Sequence, residues 1–219
     1  MRLLRAGRVT GWRKSLMKGF RSSAPGLTVI RIPMQIETFE IDGPLLLRPS
    51  RHGDARGWLS EIWSAPRLRA AGFSHEFVQD NLSFSAATGT LRGLHCQIPP
   101  AGMGKLVSVV TGAILDVAVD VRENSAARGR HVSVELTEEN PAQLWIPDGF
   151  LHGFVTLRPD TRVLYKCTAA YSPDHERNVV WNDPELAIDW GVEAPVLSDR
   201  DRNAPRLRDL APLYPQEGM

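Results

Sequence analysis

Residues Lys105–Val121 read KLVSVVTGAILDVAVDV, and this stretch decides the fold class. Two runs rich in β-branched side chains, Lys105–Val110 and Ala113–Val121, flank a Thr111-Gly112 turn signal. Such side chains are stiff at χ1, which penalises a helix and suits a pleated strand. In the second run Asp116, Ala118 and Asp120 share one face, and Val117, Val119 and Val121 the other. Alternation with period two predicts a half-buried strand.

The same texture continues outward. Strands are expected at His131–Leu136, Gln143–Ile146, Gly153–Leu157 and Arg162–Ala169, and Leu45-Leu46-Leu47 is expected to end an earlier one. Glu139-Asn140-Pro141, Pro147-Asp148-Gly149 and Arg158-Pro159-Asp160 supply turns between them. Short strands recurring every 8–12 residues or so imply an all-β sandwich or barrel. Helix is scarce; Ser64–Gly72 is the best candidate, with Ser64 as cap, Pro66 in the first turn and Gly72 at the end.

At 219 residues the chain fits one domain, or a domain with an extension. Residues 1–33 are that extension: Arg2, Arg5, Arg8, Arg13, Lys14, Lys18, Arg21 and Arg31 occur there without an acid. The segment lacks the uninterrupted apolar core of a secretory signal. It resembles a transit peptide or a basic arm, and is expected to be disordered or to lie upstream of a natural start at Met34. The folded domain is expected at 34–219. A net charge of +1 argues against a nucleic-acid binder. No run of about 18 apolar residues suggests a membrane span. Two cysteines, Cys96 and Cys167, make no disulfide framework and suggest reduced, packed thiols in the cytoplasm.

The chemistry concentrates in Gln79–Leu106, QDNLSFSAATGTLRGLHCQIPPAGMGKL. Arg92 can hold a phosphate in a forked hydrogen-bond pair. His95 can accept a proton near neutral pH. Lys105 can stand beside an oxygen that gains negative charge. Together they suggest an enzyme acting on an anionic, carbonyl-containing substrate. On a strand His95 and Gln97 share a face and Cys96 points the other way. His152 lies in PDGFLHGF, where it reads equally as a turn histidine or as a ligand-facing group. With Gln97 two positions after His95 there is no HxH pair, so a divalent metal site is not expected. Tyr165 and Lys166 face opposite ways on their strand; a strand tyrosine is ordinarily packing. Alone, Asp201 in SDRDRN reads as a solvated charge.

An ordered set of short runs changes that weighting. Gly53-Asp54-Ala55-Arg56-Gly57, Phe77-Val78-Gln79-Asp80-Asn81, Arg92-Gly93-Leu94-His95, Gly104-Lys105-Leu106-Val107, Asp116-Val117-Ala118-Val119-Asp120, Leu144-Trp145-Ile146-Pro147, His152-Gly153-Phe154, Trp181-Asn182-Asp183-Pro184 and Leu197-Ser198 follow one another between about Met34 and Leu210. In this order they resemble the dTDP-4-dehydrorhamnose 3,5-epimerase family, the dTDP-sugar epimerases of the cupin superfamily.

The resemblance implies an all-β cupin jelly-roll barrel with a few short helices. It implies a cytoplasmic homodimer without metal or organic cofactor, acting on a dTDP-4-keto-6-deoxy sugar, with no nucleic-acid or membrane partner. By position it makes His95 the general base, Asp201 its orienting partner, Tyr165 the acid on the opposite face and Lys105 the partner of the enolate oxygen. Arg56, Glu61, Gln79, Asp80, Asn81, Arg92, His152, Glu176 and Arg200 fall at substrate-contacting positions, and Tyr171 at an aromatic that stacks on thymine. Cys96 and Ala170 replace residues that are commonly aromatic and are expected to loosen the pocket; Arg200 stands where lysine is common, and Trp58 where phenylalanine is usual. A relative that inverts one carbon only, a non-catalytic sugar-binding cupin and a metal-dependent oxygenase are the alternatives.

Overall fold

The computed structural model describes residues 34–214; the basic leader lies outside them. In chain order the strands are β1 (Met34–Thr38), β2 (Leu45–Pro49), β3 (Arg51–Asp54), β4 (Gly57–Ser60), β5 (Gln79–Ser85), β6 (Leu91–Gln97), β7 (Lys105–Thr111), β8 (Ala113–Asp120), β9 (His131–Thr137), β10 (Gln143–Ile146), β11 (Phe150–Thr156), β12 (Thr161–Cys167) and β13 (Glu176–Asn178). The α-helices are α1 (Ala65–Ala70) and α2 (Asp199–Arg202). A six-stranded sheet runs β1-β2-β10-β7-β12-β5 and a five-stranded sheet β13-β6-β11-β8-β9, while β3 and β4 form a separate hairpin. The named pairings within these sheets are antiparallel. The two sheets face each other as the jelly-roll barrel that the family resemblance implies, within the sandwich-or-barrel class read from the short strands.

Three apolar cores hold the layers. Leu46, Val107, Ile114, Leu144, Phe154 and Val163 fill the space between the sheets. Leu91, Leu94, Val117, Val119, Leu151 and Val155 point out of the five-stranded sheet and are covered by Val179, Leu186, Trp190 and Leu207 of the C-terminal segment. Leu47, Leu106 and Trp145 point out of the other sheet and meet Leu68 of α1 and Phe73. Complete burial of one such side chain stabilises by about 1.5–3 kcal/mol.

The deciding stretch behaves differently from the half-buried strand its alternation predicts. Every residue from Val117 to Asp120 is buried, and Asp116 and Asp120 are both 0 % exposed. The C-terminal segment dries the valine face, and the opposite sheet dries the aspartate face. Alternation here separates an outer apolar layer from an inner face on which two carboxylates flank Ala118 of the core between the sheets. Buried carboxylates need partners. Asp120 has Arg122 at 2.6 Å and Ser125 at 2.5 Å, and Asp116 has His152.

Leu45–Leu47 begin β2 instead of ending a strand, because the bend at 40–43 and Pro44 precede them. β11 begins at Phe150, before the expected Gly153, so His152 is a mid-strand residue and not a turn residue. Gly153 serves close approach: a Cβ on Gly93 would lie 2.5 Å from the Gly153 Cα. Gly93 also has φ +135°, and the register between β6 and β11 shifts here, so β6 accommodates an extra residue. At α1, Ser64 occupies the N-cap position without a side-chain bond, Pro66 lies in the first turn, and Gly72 follows with φ +86°.

Beyond β13 the chain crosses the outer face of the five-stranded sheet. The Val196 N–H donates to the Gly89 carbonyl at 2.9 Å, and the Leu91 N–H donates to the Val196 carbonyl at 3.0 Å. This short parallel contact sets Ser198 and α2 beside β6. Among the described residues no helix is long and apolar enough to cross a membrane.

Candidate active site

Two histidines face each other across neighbouring strands: His95 on β6 is the cross-strand partner of His152 on β11. Each has its own carboxylate. His95 Nε2 lies 2.6 Å from Asp201 Oδ1, and His152 Nε2 lies 2.7 Å from Asp116 Oδ1. Asp201 is delivered by α2, whose N-cap Ser198 Oγ accepts from the Asp201 N–H at 3.1 Å. Burial pushes the Asp201 carboxyl up, but the His95 hydrogen bond and charge, with Ser198, outweigh it and hold the pKa below the usual 3.8. An ionised carboxylate only accepts, so Nε2 of neutral His95 carries the ring proton and Nδ1 keeps the lone pair. His152 is held below the usual histidine value by burial, which Asp116 opposes. Asp116 Oδ2 is buried without a hydrogen-bond partner.

The facing sheet supplies different chemistry. Tyr165 on β12 packs against the core between the sheets. Burial raises its phenol above the usual 10.0, with Arg92 acting the other way. Lys105 on β7 makes no ion pair within 4.0 Å among the described residues, and burial holds its ammonium below the usual 10.5. Glu176 on β13 interacts electrostatically with Lys105, Tyr165 and His95 and so links the two walls.

Glu176 also organises the rim. Its Oε2 accepts from the Tyr171 hydroxyl at 2.8 Å, and its Oε1 accepts from Arg200, which donates as well to Asn178 Oδ1 at 3.3 Å. Burial pushes the Glu176 carboxyl up, but Arg200 and Tyr171 outweigh it and hold it below its usual value. Arg92 donates to Ser85 Oγ at 3.3 Å and to the Phe84 carbonyl at 3.1 Å, which leaves further guanidinium donors at the cavity edge.

Cross-strand pairing, hydrogen bonds and electrostatic interactions connect His95, Asp201, Tyr165, Lys105, His152, Glu176, Tyr171, Arg200, Arg92, Gln79 and Asn81 across the two facing walls. Three other residues singled out in the sequence lie elsewhere. Asp80 faces outward and pairs with Lys166 at 2.9 Å. Arg56 lies on the β3–β4 hairpin, paired with Asp54 at 2.5 Å and largely exposed. Glu61 pairs with Arg67 at 3.1 Å on the surface. Cys96 is buried in the outer core under the C-terminal segment, so it does not loosen the pocket. Asp116 and Asn178, the cross-strand neighbour of His95, are additional polar groups of the site. The signal for Asp116 was the polar face of β8. Among the described residues no group of three or more His, Cys, Asp or Glu is arranged to hold a metal.

An imidazole bonded to a carboxylate on one wall, with a phenol and an ammonium without an ion pair on the other, is a set of groups able to exchange protons and to stabilise an oxyanion. Known proteins with this fold agree in kind. The family model described as dTDP-4-dehydrorhamnose 3,5-epimerase matches residues 38–209. A protein of that name from Sinorhizobium fredii is 46% identical over 178 residues, 81% of this chain and 91% of its own length. The crystal structure of dTDP-6-deoxy-D-glucose-3,5-epimerase from Legionella pneumophila in complex with dTDP-4-keto-L-rhamnose is 42% identical, with a TM-score of 0.79 over 85% of this chain and 100% of that one. A 3'-monoepimerase from Streptomyces bikiniensis, in complex with dTDP-quinovose, is 36% identical, with a TM-score of 0.73 over 78% of this chain and 86% of that one. Barrel, paired walls and a match spanning β2 to the C-terminal segment lead to one assignment: the chain belongs to the dTDP-4-dehydrorhamnose 3,5-epimerase family.

Proposed function

We propose that the protein is an isomerase that inverts C3 and C5 of dTDP-4-dehydro-6-deoxy-D-glucose, giving dTDP-4-dehydro-L-rhamnose for dTDP-L-rhamnose biosynthesis. The supporting observation is the division of labour between the walls: the His95–Asp201 pair stands on the five-stranded sheet, and Tyr165 and Lys105 on the six-stranded sheet.

The C4 ketone acidifies the protons on C3 and C5. His95 removes one proton, and Asp201 stabilises the imidazolium. The C–H electron pair moves into an enolate whose oxygen is met by the Lys105 ammonium. Tyr165 returns a proton from the opposite face, which inverts the carbon. Exchange with water then resets both groups for the second centre. Arg92 and Arg200 hold the diphosphate, and Tyr171 carries the base against its ring. His152, fixed by Asp116, lines the sugar subsite. The reading includes a homodimer. Arg56 and Glu61 lie outside the pocket of their own chain, and Trp58 and Leu59 on the same hairpin are 59% and 74% exposed, as suits an arm that reaches a second copy. It places the enzyme in the cytoplasm.

The test is turnover of dTDP-4-dehydro-6-deoxy-glucose in deuterated water, with and without a downstream 4-keto reductase. Deuterium at both C3 and C5 and an L-rhamnose product are expected. Label at C3 alone would identify a monoepimerase instead. His95→Asn should abolish turnover while dTDP binding persists; full activity in that variant would refute the assignment of the base.

A further inference from the structure

On the six-stranded wall Gln79, Cys167 and Lys105 form one row across β5, β12 and β7, and Asn81 stands beside Tyr165 in the next. Directly paired residues of an antiparallel sheet share a face, and Tyr165 packs inward. All five side chains therefore face the interior between the sheets. Cys167 is fully buried and belongs to none of the three apolar cores.

Hydrogen bonds join three of these positions and the Tyr171 backbone into a chain with a single possible sense. The Tyr171 backbone N–H, which can only donate, gives its hydrogen to Gln79 Oε1 at 3.0 Å. That fixes the Gln79 amide, whose Nε2 donates to Asn81 Oδ1 at 3.1 Å. Asn81 is fixed in turn, and its Nδ2 donates to Cys167 Sγ at 3.5 Å. Both amide oxygens are thereby engaged within the protein. Each amide NH2 keeps one N–H for a ligand while its oxygen is already held by a protein donor, and Lys105 adds three more donors and no acceptor.

We propose that Cys167 is a positioning residue. Its sulfur is the terminal acceptor of a relay that starts at Tyr171, and the relay locks the Asn81 and Gln79 amides so that this wall presents hydrogen-bond donors to the sugar. Such a wall selects a ring bearing oxygen acceptors, a ketone that becomes an enolate, and it opposes an amino sugar whose ammonium brings only donors. The inference rests on the proposed substrate class and adds to it the origin of the selectivity. Without the sulfur, the Asn81 amide loses the partner that sets its sense. It is then free to turn its oxygen to the cavity, where it repels the ketone.

Cys167→Ala and Cys167→Val remove the acceptor, and Cys167→Ser retains one. With the keto sugar nucleotide, the Ala and Val variants should raise KM about fivefold to tenfold, the scale of one hydrogen bond. The affinity for dTDP alone should be unchanged, and Cys167→Ser should return KM towards that of the parent. An unchanged KM in the Ala variant, a parallel loss of dTDP affinity, or no rescue by serine would overturn the proposal. The side-chain amide resonances of Asn81 in 15N-labelled protein give a reading independent of turnover. They should move in Cys167→Ala and hold in Cys167→Ser, and unmoved resonances in the Ala variant refute the relay. A parent protein that leaves the keto sugar unchanged would defeat the proposed reaction, while the resonances still decide the relay.

Discussion

Replacing Asp201 by asparagine tests the centre of the mechanism with almost no change of shape. In the parent an ionised acceptor sits 2.6 Å from His95 Nε2 on a side chain that is 6% exposed, so water screens the pair little. A hydrogen bond to an ionised group is worth about 1.5–3 kcal/mol, and a neutral one about 0.5–1.5 kcal/mol. The difference of about 1.5 kcal/mol acts on the imidazolium formed during proton removal and lowers kcat about tenfold. That is the smaller outcome, in which the amide oxygen still faces Nε2–H. If the amide nitrogen faces the ring, the proton moves to Nδ1 and the lone pair no longer points at the sugar; a wrong tautomer of this kind costs about 10⁴-fold in the serine-protease triad. Asp201→Asn should therefore lower kcat by about tenfold to 10⁴-fold with dTDP binding intact, read by wash-in of solvent deuterium at C3 and by the coupled reductase rate. A variant that keeps kcat within about twofold of the parent would show that the carboxylate neither orients nor charges the base.

Three further outcomes follow from the same geometry. Tyr165→Phe should still exchange C3 hydrogen with solvent, because His95 can remove and return a proton on its own face, yet fail to invert; inverted product at the parental rate removes the phenol from the mechanism. Lys105→Met should lower kcat by about 10²–10³-fold, as the loss of one oxyanion partner does, and should raise the melting temperature at pH 7. The folded pKa of Lys105 lies below 10.5, so its buried charge costs stability at neutral pH; a lower melting temperature would contradict that sign. His75, His131 and His152 are all held below 6.5 by burial. The unfolded chain then binds protons that the folded chain refuses, so the melting temperature should begin to fall as pH drops through about 6.5. His131→Gln should flatten that slope, and a melting temperature level from pH 7 to 5 would refute the contribution.

What the sequence discloses depends on how local the cause is. β10 matches its expected span, Gln143–Ile146, because Pro and Gly turns bound it on both sides. The start of β11 is hidden in the sequence because Gly149, a true turn residue, and Gly153 bracket His152 as a single turn would, whereas Gly153 answers a contact with Gly93 on another strand. The face of Asp116 and Asp120 was visible, but its dryness was not, since that depends on a sheet assembled from distant segments. The site divides in the same way. Arg92, His95 and Lys105 stand out from their own surroundings, while His95 and Asp201 are 106 positions apart and only the family resemblance joined them. Asp80 stands in one run with Gln79 and Asn81, yet the pleat turns it outward to Lys166. No local rule places Arg56 and Glu61 in the pocket of their own chain.

The path of the segment after β13 has a consequence for biogenesis. A ribosome makes every strand of the barrel before it reaches codon 201, so the nascent protein can close its sugar-binding chamber while the imidazole still lacks its carboxylate. The His95–Asp201 pair cannot form until the tail has docked along β6.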